Sequence, residues 1–261
     1  MRGAGKICKE PDTALRKEIG GVMLDGMTAK EILAELEKRG SPSIKKVLVN
    51  HGIREPFFGV KVAELKKIER RVKTNYQLAL DLFETGNYDA MYLAGLIADD
   101  AKMTKPDLQA WAKKAYCSAL AASPVAWVAA GSPHGPELAL EWIESKEEMM
   151  AVAGWATLGS LIATKPDGEL DLAELKRLLQ RVEKSIHKAP NEVRSAMNKF
   201  VIAVGSYVAP LTELAMQTGE KIGEVAVDVG DTACKIPFSP DYIRKVQKRG
   251  AIGKKRKSAK R

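Results

Sequence analysis

Thr28-Ala29-Lys30-Glu31-Ile32-Leu33-Ala34-Glu35-Leu36-Glu37-Lys38-Arg39-Gly40-Ser41-Pro42-Ser43-Ile44-Lys45-Lys46-Val47-Leu48 carries the fold in miniature. Thr28 stands three residues before Glu31, the spacing of a capping box in which each side chain satisfies the other's backbone N–H. Ile32, Leu33 and Leu36 then fall on one helical face until Gly40 stops the helix. Ser41-Pro42-Ser43 opens a second helix that continues through Ile44, Val47 and Leu48 to His51-Gly52. A helix, a tight Gly turn and a second helix make an antiparallel pair with one apolar face to bury.

Outward from this pair the pattern repeats. Helices are expected from Val60 through Ile68, Asn75 to Thr85, Tyr88 to Asp100, and Lys105 to Ala122, the last with Pro106 in the first turn, where a missing N–H costs nothing. A short segment around Trp127 follows, broken by Gly131, Pro133, Gly135 and Pro136. Further helices run over Pro136 to Ser145, Lys146 to Thr164, Asp171 to Lys188, Pro190 to Tyr207, Pro210 to Gly223 and Pro237 to Gly250. Val225 to Val229 alternates like a strand but has no partner to pair with. The fold class is therefore all-α. Helix pairs recurring at a period of roughly 40 residues point to a HEAT-like solenoid, with a globular bundle as the competing architecture. The domain reading is a disordered extension over residues 1–26, a solenoid over 27–250 and a basic tail over 251–261.

Three cysteines, far apart and odd in number, argue against a disulfide framework and for a reducing compartment, and with only three histidines no zinc spacing arises. No metal and no cofactor are expected. A membrane-spanning helix needs about 20 consecutive apolar residues; Met149 to Ala163 and Phe200 to Pro210 fall short, and Met1 to Asp25 lacks the apolar stretch expected of a signal peptide. The expectation is a cytoplasmic monomer away from membranes.

The net charge is +9, yet residues 244–261 hold ten Lys or Arg and no acid, which leaves the first 243 residues at −1. Such a tail attracts polyanions by counterion release; a solvated, disordered end is the plain alternative. No phosphate loop, His-Glu-x-x-His or Gly-x-Ser-x-Gly motif is present, so most of the common enzyme classes are excluded. His134, in a loop beside aromatic residues, is a candidate general base or phosphate contact. Trp127, Trp142 and Trp155 cluster in a chain with only 6% aromatics. Trp142 fits a core role, whereas Trp127 and Trp155, among small neighbours, are candidates for stacking on a base or deoxyribose. Lys45, Lys61, Arg194 and Lys199 lie on basic helical faces, and Lys254, Lys255, Arg256 and Lys257 on the tail. Asp99-Asp100 closes a helix whose end is already partly negative, an awkward place for acids.

Taken together, Phe57-Phe58-Gly59-Val60-Lys61-Val62-Ala63-Glu64-Leu65-Lys66-Lys67-Ile68, Asp89 through Asp100, His187-Lys188-Ala189-Pro190-Asn191 and the segment from Cys234-Lys235 to Lys257 resemble the bacterial DNA alkylation repair superfamily, the AlkD-like HEAT-repeat glycosylases. The resemblance implies a solenoid holding duplex DNA on a concave basic face and hydrolysing the N-glycosidic bond of N3- or N7-alkylated purines. It also implies a site made of a Trp, an Asp four residues later and a second Trp from a later repeat. Trp127 matches the first Trp, but Gly131 stands in the acid's place and Lys199 or Phe200 in that of the second Trp. This makes the chain a divergent member. Glu137 and Glu141 are the nearest replacement acids, with Asp99 or Asp100 approaching from an earlier repeat. The expected partner is duplex DNA, alkylated when it is substrate. The alternatives are a noncatalytic binder of damaged or branched DNA and a protein-interaction scaffold.

Overall fold

The computed structural model describes residues 27–260; the expected N-terminal extension lies outside them. Thirteen α-helices form among the described residues, with no β-strand and one isolated antiparallel bridge between Gly40 and Val60. They are α1 (Ala29–Arg39), α2 (Pro42–Asn50), α3 (Val62–Val72), α4 (Tyr76–Glu84), α5 (Tyr88–Ile97), α6 (Lys105–Lys114) and α7 (Ser118–Gly131). After them come α8 (Gly135–Trp142), α9 (Glu148–Thr164), α10 (Leu172–Ser185), α11 (Asn191–Tyr207), α12 (Thr212–Ile222) and α13 (Ser239–Lys248).

From α4 onward the helices pair as α4/α5, α6/α7, α8/α9, α10/α11 and α12/α13. Successive inner members α5, α7, α9 and α11 pack side by side, and α13 closes the row against α11. The pairs begin at Tyr76, Lys105, Gly135, Leu172 and Thr212, a repeat of roughly 30 to 40 residues, as in helical-pair solenoids. This is the HEAT-like solenoid and not the globular bundle. Amphipathicity divides the layers. Outer helix α10 shows only Leu175, Leu178, Leu179 and Val182 buried, whereas inner α9 buries ten of its 17 residues because it is covered on several sides.

Local chemistry sets the boundaries. Thr28 and Glu31 form the expected capping box, and Thr104 with Asp107 forms another. The loop before α3 is stitched down by Asp89, whose carboxylate accepts the N–H groups of Phe58 (2.7 Å), Gly59 (3.0 Å) and Val60 (2.9 Å). Burial pushes this carboxyl up, against those three N–H donors.

One expected boundary is corrected. The helix from Lys105 ends at Lys114, not Ala122, because Tyr116 turns out to meet Arg54 and Cys117 becomes the extended N-cap of α7. Pro124 then lies inside α7: the turn Ala121–Val125 widens into a π-helix, which accommodates the missing N–H. Opposite it, Gly95 of α5 comes so close that an added Cβ would lie 2.3 Å from the Pro124 Cβ. Val225 to Val229, which alternates without a partner, forms no strand, as the all-α reading expects. No single helix among the described residues is long and apolar enough to cross a membrane.

Candidate functional site

The inner helices α7, α9 and α11, with α13 and the segment after it, line a groove of about 960 Å³. Its floor is paved with small side chains, among them Ser118, Ala122, Ala156, Gly159, Ser195 and Ala203. The spacing of these residues along each helix puts them on one face, and their small size keeps the inner surface open. Lys199, Arg249, Lys254 and Arg256 line the groove, and Glu192 is the one acid among its described lining residues. Lys199 comes from the near-neutral body, and Arg249, Lys254 and Arg256 come from the basic run that follows it.

Trp127 sits in this floor, 5% exposed, with Tyr92 of α5 edge-on at 5.4 Å between ring centroids. One turn further along α7 is Gly131. The volume its side chain would occupy is taken by another residue: a Cβ added there would lie 2.3 Å from Asp100 Oδ2. The carboxylate therefore comes from the end of the preceding inner helix. Burial pushes the Asp100 carboxyl above its usual range, against the opposing pull of Lys260. The Lys260 ammonium lies 2.7 Å from Asp100 Oδ1 and hydrogen-bonds the Ala98 carbonyl at 2.8 Å, leaving Oδ1 without an aligned donor.

That lysine belongs to the basic segment, which is ordered from residue 251 to 260 and runs back across the ends of the inner helices. Gly253 N–H donates to Ser206 O at the end of α11 (2.9 Å), and Arg256 N–H to Ala163 O at the end of α9 (2.7 Å). Lys255 Nζ donates to Ile162 O (2.9 Å) and pairs with Asp167 (2.8 Å). The last carbonyls of a helix lack intrahelical partners and carry its partial negative charge, so cations and N–H groups there are favourable. Asp100, awkward at a helix end in the sequence, is tolerated because Lys260 reaches it.

The predicted site residues separate into two groups. Trp127, Trp155, Lys199, Lys254 and Arg256 come together along the groove. Trp155 is 1% exposed, its ring edge-on to Phe200 at 5.1 Å, so it is core beneath the floor and not a stacking surface. Arg256 Nε donates to Tyr207 Oη at 2.8 Å, which orients the guanidinium. The others lie elsewhere. Glu137 pairs with Lys105 at 2.5 Å and Glu141 accepts from Gln109 at 3.3 Å, so both candidate acids face outer helix α6. Lys45 pairs with Glu55 and lies over the Phe57 ring, Arg194 reaches Asn191, and His134 precedes α8 with its N–H on Ser132. Lys61 and Lys257 are exposed outside the groove lining, and Lys255 is spent on α9. The sequence reading missed Arg249, Tyr207 and Lys260; the first and last sat within the basic run as undifferentiated charge. No cluster of three His, Cys, Asp or Glu suited to a metal occurs among the described residues.

The family model for DNA alkylation repair enzyme matches residues 32–223. Uncharacterized protein Lmo0209 of Listeria monocytogenes is 32% identical over 229 residues, covering 85% of this chain and 99% of its own length. Uncharacterized protein Lin0241 of Listeria innocua is 31% identical over the same shares. A solved structure with 34% identity and a TM-score of 0.83 covers 88% of this chain and 98% of its own. It is described as a new family of proteins related to the HEAT-like repeat DNA glycosylases with affinity for branched DNA structures.

Proposed function

The chain belongs to the DNA alkylation repair enzyme family, and on that premise we propose that it binds DNA in the groove as a cytoplasmic monomer without excising bases. Lys199, Arg249, Lys254 and Arg256 hold backbone phosphates, and the small-residue floor lets the strand approach closely. The likeness to a protein described as having affinity for branched DNA makes a four-way junction the first ligand to compare with linear duplex.

The observation that carries the noncatalytic reading is the Gly131 position. Departure of an alkylated purine leaves oxocarbenium character that an uncompensated carboxylate would stabilise. Here Gly131 supplies none, and the acid filling its volume is held by Lys260. Glu137 and Glu141, the other candidates, face away toward α6. A peptide-binding scaffold is the weaker reading, since cations outnumber the one acid in the groove lining.

The test incubates purified protein with N-methylated duplex DNA and measures released 7-methylguanine and 3-methyladenine beside an active glycosylase. No release, with binding to the same DNA retained, is expected. Release above the protein-free control overturns the noncatalytic reading.

A further inference from the structure

The basic segment reads from the sequence as a floating source of charge, but its contacts are those of a fixed part. Three inner helices anchor it in turn: α11 through Ser206 O, α9 through Ala163 O and Ile162 O, and α5 through Ala98 O and Asp100. The anchors spend some cations and leave others. Lys255 and Lys260 are turned into the protein, with side chains 19% and 17% exposed, while Lys254 and Arg256 line the groove. Close by, the Ser206 hydroxyl is buried without a partner and also lines the groove.

We propose that the Asp100–Lys260 pair is a latch that fixes segment 251–260 as one wall of the groove, so that Lys254 and Arg256 meet DNA phosphates in a set position. The proposal rests on the DNA-binding reading. Its two latch residues do not line the groove, so neither is a DNA contact; both are positioning residues. A cation held in place loses less freedom on binding than one on a loose chain, so the latch strengthens binding by preorganisation and not by its own charge.

Charge and position make opposite predictions for Asp100→Asn. That change removes a negative charge, so a purely electrostatic account predicts tighter DNA binding. The latch predicts weaker binding, because the segment loses its charged partner at the end of α5 and keeps only the Lys260 bond to Ala98 O there. Lys260→Ala and Lys257→Ala remove one positive charge each, yet only Lys260 is anchored. The experiment measures affinity for a fluorescent four-way junction by anisotropy for the full chain and these three variants. Hydrogen exchange of the Gly253 and Arg256 amides is followed in parallel, and circular dichroism checks the fold.

The latch predicts that D100N and K260A each weaken binding by about fivefold or more, the scale of one charge-assisted contact. It also predicts lost amide protection in both and a smaller effect for K257A. Tighter binding by D100N, equal effects of K260A and K257A, or retained protection in D100N overturns it. If the unaltered protein binds no DNA, the DNA reading fails and the wall has no ligand; exchange still reports the latch by itself. Lost protection in D100N then supports the latch, and retained protection overturns it.

Discussion

Gly131→Asp puts an acid back at the position four residues after Trp127, and the structure predicts that the protein resists it. The new Cβ would lie 2.3 Å from Asp100 Oδ2 and 2.8 Å from its Cγ, so the carboxyl of Asp100 must move. Wherever both acids settle, they share one partly buried volume with a single ammonium, that of Lys260. Two carboxylates about 4 Å apart repel by ~4 kcal/mol at an effective dielectric of ~20, with Lys260 offsetting part of it. A loss of about 2–4 kcal/mol follows, which for a body of this size lowers Tm by roughly 5–15 °C. Asp100→Ala removes the two closest atoms, so the exchange G131D/D100A leaves one carboxylate within the lysine's neighbourhood and melts above G131D alone. Thermal unfolding of the two single variants and the double gives the coupling. A G131D protein that melts with the unaltered one, or a deficit that D100A leaves untouched, refutes the shared-volume account.

Other outcomes follow from the fold. Asp89→Ala strands three backbone N–H groups in a buried loop, and denaturant titration should show a loss of about 3–5 kcal/mol. Gly95→Ala forces α5 away from Pro124, which should cost about 1–3 kcal/mol as overpacking does; unchanged stability would contradict the close approach. Glu35 is held below the ordinary carboxylate value of 4.5 by hydrogen bonds from Arg71 first and Arg39 second, against the opposing effect of burial. The unfolded chain therefore binds protons before the folded one does: this stabilisation is complete above about pH 4.5 and fades as pH falls through the lower folded value. Melting curves from pH 7 to 3 should show a smaller acid loss for Glu35→Gln than for the unaltered protein.

Helices were legible where local chemistry declares them. Thr28 with Glu31, the Gly40 stop and the apolar face of α10 each point one way, and the structure follows. The helix end expected at Ala122 fails because α7 runs on through Pro124, whose place there depends on Gly95, 29 residues earlier, which yields space only in the folded chain. The site was half legible for the same reason. Trp127 stood out by composition, Gly131 declared a missing acid, and Asp99 or Asp100 from an earlier repeat was one of the acids on offer, but spacing alone could not choose Asp100 over Glu137 and Glu141. Trp155 sat among small residues as though presented, yet Gly154 beside it lets α8 approach closely and Phe200 of α11 meets the ring edge-on, so it is buried. The basic segment read as free charge because a sequence shows its cations without the helix-end carbonyls they meet.

Whether the cationic groove holds DNA is measured most directly by the dissociation constant for a four-way junction across a salt series. Four groove cations, Lys199, Arg249, Lys254 and Arg256, predict tight binding at low salt and a log–log slope of about −3 to −4, near 0.9 per phosphate neutralised. Absent binding at low salt, or a slope near zero, would contradict it.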